Sequence, residues 1–152
     1  MAESQILTIL AAILPILDAV TGVQRVYNYE PLAVKPENIV TIMGGSQAID
    51  YWSVTPETTD PQRFQGYQME FNHVMVFRHY YEVGDAAIST PAVRTIALAV
   101  LNRFSTVFSI APQAEMTGPL QIIWPIYWTL ADTFTVHKTE YRLPLKELIV
   151  VQ

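Results

Sequence analysis

The residues of this chain whose types could do chemistry are three histidines, one glycine-flanked serine and a scatter of carboxylates. His73 and His79 share one face of the run Tyr67 to Val83 (YQMEFNHVMVFRHYYEV), but six residues of extended chain hold them about 20 Å apart, too far for one metal ion. His137 reaches either of them only through folding that spacing does not reveal, so satisfied or half-exposed strand histidines are the simpler expectation. Ser46 follows Gly44-Gly45 in GGSQ, yet the G-x-S-x-G spacing of a nucleophile elbow is missing and turn chemistry explains the glycines. The carboxylates are dispersed: Glu57 and Asp60, Glu70 and Glu82, Glu140 and Glu147. Such charges on strands and loops are mostly solvated or paired across an interface. With no cysteine, phosphate loop, dinucleotide fingerprint or H-E-x-x-H, the residues give no enzyme signature and point to no cofactor and no metal.

The element that carries two of these histidines organises the chain. From Tyr67 to Val83 the odd positions are apolar, aromatic or His, and the even ones include Gln68, Glu70, Asn72, Arg78 and Glu82, a period of two. That is a strand of roughly 55 Å, far longer than the usual five or six residues. It either bends at a bulge or projects beyond its own domain as an arm toward a partner. The odd face is expected to hold helices to the sheet, and the even face to meet a neighbour.

Composition favours a component of an assembly. The 152 residues fit one domain, 1–152, with 51% hydrophobic and 15% charged residues, against about 25% charged in an ordinary domain. Such a surface is short of charge for a monomer, although a compact monomer with a large core has the same composition. A net charge of −5 offers no field for gripping phosphates, so direct nucleic-acid binding is not expected, while DNA sliding past is compatible. The apolar run Ile6 to Leu17 lacks the basic start and cleavage site of a signal peptide and is too short to span a bilayer. It reads as a buried helix of a soluble protein, with no membrane partner.

In chain order, Ile6, Ile9, Leu10, Ile13, Leu14 and Leu17 give a helix covered on more than one side, with Pro15 kinking or shortening its last turn and Thr21-Gly22 stopping it. Val23–Tyr29 and Asn38–Met43 read as short strands. Gly44–Gly66, with Pro56 and Pro61, reads as a long loop, either a solvated connection or a binding loop. Ser89-Thr90-Pro91 reads as the start of a second helix that carries Val93, Ile96, Ala97, Val100, Leu101 and Phe104 and ends by Pro112. Leu120–Tyr127 reads as an edge strand because of Pro125, followed by strands at Phe134–Val136 and Tyr141–Val151. Trp124, Tyr127 and Trp128 are too apolar for an exposed edge, so either the core or an adjacent subunit covers them. The expected class is α+β, a mainly antiparallel sheet with two principal helices on one face.

This order resembles a known family. An apolar N-terminal helix leads into VQRVYNYEP and a second short strand. A Trp-containing loop, the long strand, a Thr-Pro-capped helix with LNRFS and a hairpin ending in YRLPLKELIVV follow. The arrangement is similar to the tail terminator, or tail-completion, proteins of long-tailed bacteriophages and to related neck proteins. The resemblance rests on architecture and length, with no catalytic signature to match. It implies a virion protein, assembled in the host cytoplasm, that forms a homo-oligomeric ring, typically hexameric. Such a ring caps the tail tube, stops its growth and joins it to the head connector while DNA passes through the lumen. On that reading Glu70, Asn72, Arg78 and Glu82 contact a neighbour or the lumen, and Asp60 and Arg63 contact the tube or connector. A neck protein of the same virion and a small-ligand-binding α+β domain with a pocket between the long strand and the aromatic cluster are the alternatives.

Overall fold

The structure, a computed structural model, describes residues 5–31, 35–43, 48–61, 68–107 and 109–150. Its helices are α1 (Ile6–Asp18), α2 (Pro36–Ile42) and α3 (Ala86–Ser105). Its strands are β1 (Val26–Tyr27), β2 (Asp50–Pro61), β3 (Gln68–Glu82), β4 (Ser109–Ala111), β5 (Ala114–Met116), β6 (Gln121–Leu130) and β7 (Phe134–Val150). The fold is α+β. The seven strands form one sheet in the order β1-β2-β3-β7-β5-β4, with β6 also on β7; among the described residues only the β1–β2 pair is parallel.

The long strand β3 is there, but it does not project as an arm. All of it, from Gln68 opposite Val150 to Glu82 opposite Val136, pairs with β7. The segment expected at Phe134–Val136 and that expected at Tyr141–Val151, as far as Val150, are parts of this single strand of 17 residues; Val151 lies outside the described residues. One long strand therefore has an equally long partner, and the bulge falls on β2 at Glu57, between Pro56 and Thr58. The other edge of β7 is shared end to end by β5 and β6.

Four further expectations are corrected. Most of the supposed loop is strand β2, because Asp50–Thr55 (DYWSVT) supplies β-formers that bury Tyr51, Trp52, Ser53 and Val54. The supposed strand Asn38–Met43 lies mostly in α2, with Pro36 at its first turn and Asn38 Oδ1 accepting the Lys35 N–H at 2.8 Å. Helix α3 starts at Ala86, where Asp85 caps it by accepting the Ala87 N–H at 3.0 Å. It runs through Pro91 and stops at Ser105, well before Pro112. Likewise α1 continues past Pro15 to Asp18.

The odd face of β3 meets the helices as expected. Trp52, Val54, Met75, Phe77, Tyr141, Leu143 and Leu145 from the sheet pack with Ile9, Ile13 and Leu17 of α1 and Ala97, Val100 and Phe104 of α3. Gly22, at φ 93°, closes the turn after α1 where a Cβ would stand 3.0 Å from Ile96. The third helix, α2, belongs to a second cluster with Tyr51, Tyr80, Leu130 and Val136. Strand alternation puts those side chains on the opposite face, so α2 covers one end of the face left open by α1 and α3.

Candidate assembly surface

All three histidines are buried on the helix-facing side, and each is hydrogen-bonded to a side chain of another element. Thr59 Oγ1 lies 2.9 Å from His73 Nδ1, and Glu147 Oε1 lies 3.0 Å from His73 Nε2. Glu147 also accepts the Gln5 N–H at 2.7 Å, which ties the start of α1 to the sheet. His79 Nε2 bonds Asp50 at 2.8 Å while its ring stacks on Trp52 at 4.1 Å. His137 Nε2 bonds Ser89 Oγ at 2.8 Å and pins the first turn of α3 to β7. Both members of this serine–histidine pair are buried. Among the described residues no cluster of three or more His, Asp or Glu is placed to hold a metal ion.

Burial lowers the pKa of His79 against the opposing pull of Asp50, and burial plus the neighbouring His79 lowers that of His137. Both rings are thus held neutral in the fold and take up protons more readily when unfolded. Their contribution to stability is complete above about pH 6.5 and is lost as pH falls below it, by up to about 1.4 kcal/mol per pH unit for each group. The midpoint of thermal unfolding should drop between pH 7.5 and 5.5, and His137→Gln should flatten that dependence. A pH-independent midpoint would contradict the assignment.

The open face of the sheet carries a ladder of charges paired within the chain. Arg78 lies 3.4 Å from Glu140, 3.9 Å from Glu30 and 3.2 Å from the Thr55 hydroxyl. Lys138 lies 3.8 Å from Glu140, Arg142 3.2 Å from Glu57, and Lys146 3.6 Å from Glu70. Of the predicted contacts, Glu70, Asn72 and Arg78 therefore share this face on β3. Glu70 and Arg78 are engaged by their own sheet, which leaves them less free for a neighbour. Glu82 accepts the Ile49 N–H at 3.3 Å at one end. Asp60 is not on a loop: it stands exposed on β2 opposite Asn72. Arg63 lies outside the described residues, as does Ser46.

A cavity of about 440 Å³ opens on this face between Glu30, Arg78, Tyr80, Trp128 and Lys138. Its wall is polar: the Tyr80 hydroxyl donates to Glu30, as does that of nearby Ser53, while the buried Tyr51 hydroxyl has no partner among the described residues. Burial pushes the Tyr51 and Tyr80 phenols well above their ordinary range, so both stay protonated donors. The long strand and the aromatic cluster do border a pocket, but His73 and His79 lie on the other face and do not line it.

The feature that lacks cover is β6. On its far side it has no strand partner among the described residues, and it carries no charge from Gln121 to Leu130. Trp124, Ile126, Tyr127 and Trp128 are 51%, 55%, 63% and 45% exposed, so the domain core does not cover the aromatic cluster. Strand register places Ile123, Ile126 and Trp128 on the open face and Tyr127 on the helix side against His137. Lys138 Nζ sits 4.1 Å from the centre of the Trp128 ring and fixes the indole in place. The turn into β7 is tight, with Ala131 and Asp132 both at positive φ and the Thr133 N–H bonded to the Leu130 carbonyl. Long, flat, apolar edges invite pairing, and Pro125 with its local register shift is the one device blunting this edge.

A second uncharged surface lies on α1. Leu7, 77% exposed, lines up with exposed Ala11 and Pro15 and half-buried Leu14, and Asp18 is the one charged residue of the helix. A helix apolar on all sides is ordinarily covered on all sides. No helix among the described residues is long and apolar enough to cross a membrane.

No family model and no curated protein matches the chain. A solved structure whose name carries no functional term aligns with 99% of this chain and 100% of its own, at 16% identity and a TM-score of 0.53. At that identity the likeness speaks for the fold alone.

Proposed function

We propose that this chain is a non-enzymatic virion structural protein of the tail terminator type. It forms a ring that caps the tail tube, stops its polymerisation and joins it to the head connector. The observation that carries the reading is the uncharged, unpaired edge of β6 with its exposed Trp124, Ile126, Tyr127 and Trp128. A head-to-tail ring needs two different surfaces on each subunit, and the outward stripe of α1 supplies the second. The three histidines, with Asp50 and Glu147, are engaged in holding the fold, which fits a protein that acts through its interfaces. The net charge of −5 suits a lumen through which DNA slides without being held. A neck protein of the same virion would use the same surfaces and differ in what its ring docks to.

Addition of the protein to growing tail tubes tests the role beyond assembly. Tubes should stop at a fixed length with the protein at one end. Tubes that elongate unchanged, with a ring present in solution, would exclude the terminator role and favour the neck protein.

A further inference from the structure

We propose that the edge of β6 in one copy is covered by the outward side of α1 in the next copy, a contact that rests on the ring reading above. The partner follows by elimination among the described strands. An edge strand is satisfied by another strand or by a helix laid over it. In a neighbouring copy β1 and β4 offer two and three residues. The free edge of β2 carries Pro56, Pro61, Glu57, Asp60 and a bulge, each of which opposes pairing. Pairing β6 with its own copy closes a twofold dimer and leaves α1 uncovered. The helix remains.

The shapes and charges of the two surfaces agree. Leu7, Ala11 and Pro15 follow each other at four-residue spacing, so small Ala11 leaves a recess between two larger side chains. An indole or isoleucine projecting from β6 fits such a recess, and neither side buries a charge there. Beyond the exposed Asp18 that ends the α1 stripe, the rims carry charges of opposite sign. Arg94 and Arg103 are exposed on α3, which packs beside α1, and have no ion pair among the described residues. Asp132, exposed in the turn after β6, has none either.

Two variants of the full chain, each blocked on one surface, test the contact. Ile126→Lys and Leu7→Lys alter exposed side chains, and Ala11→Lys serves as a second block of α1; circular dichroism checks that each stays folded. Each alone should run at the mass of one chain, 17.2 kDa. An equimolar mixture should give a species of twice that mass, because the intact α1 of one variant can still cover the intact β6 of the other. If Leu7→Lys and Ala11→Lys assemble as the unaltered chain does, this contact is wrong while the ring reading stands. A dimer lost with Ile126→Lys and kept with both α1 variants would assign β6 to its own copy instead. An unaltered chain that stays monomeric would remove the ring and this contact together.

Discussion

Glu147→Leu is expected to lower the free energy of unfolding by about 3–5 kcal/mol, the usual cost of removing one member of a buried pair. Glu147 is fully buried and holds two elements at once, His73 of β3 and the Gln5 N–H at the start of α1. Leucine fills the space but leaves that N–H and His73 Nε2 without their partner, and buried polar groups cannot turn to water. Urea unfolding followed by tryptophan fluorescence measures the loss. Glu115→Leu is the control, because Glu115 pairs with Lys146 at 3.8 Å on the surface, and such pairs contribute about 0–1 kcal/mol. Equal effects at the two positions would mean that the buried network does not hold α1 to the sheet.

Trp128→Ala is expected to act on assembly and spare the fold. In the single chain its indole packs against Lys138 and stays 45% exposed, so truncation should cost about 1 kcal/mol of folding stability, less than loss of a fully buried side chain. At an interface a buried tryptophan contributes about 2 kcal/mol or more, roughly thirtyfold in the dissociation constant of each contact. Sedimentation across a concentration series should show the oligomer falling apart at a protein concentration at which the unaltered chain stays assembled. An unchanged profile would place Trp128 outside the interface and point to the cavity beside it as the reason for its exposure.

Period and caps made much of this fold legible. The alternation from Tyr67 to Val83 fixed β3 and its buried face, and the spacing of Val93, Ala97, Val100 and Phe104 fixed the buried stripe of α3. What misled was proline. Pro56 and Pro61 suggested a loop, but both lie on the outer strand β2, where a missing N–H costs little. Pro91 suggested a helix start, but Asp85 already caps the helix and the chain tolerates proline in its second turn. At Asn38–Met43 the β-formers Ile39 and Val40 hid a helix whose start was written in Lys35-Pro36-Glu37-Asn38. Nothing local marks Glu147 as buried, since its partners His73 and Gln5 are far away in sequence. The even face of β3 looked free for a neighbour because its partners on β7 become neighbours only through register. The exposure of Trp124 and Trp128 followed from topology, since only the sheet order shows that β6 has one neighbour.

Negative-stain imaging and mass measurement of the unaltered chain, alone and with tail tubes, test the central claim most directly. The account predicts a closed ring with a central hole, of several times 17.2 kDa, found at one end of each tube. A strictly monomeric species at high concentration, unchanged when tubes are added, would contradict it.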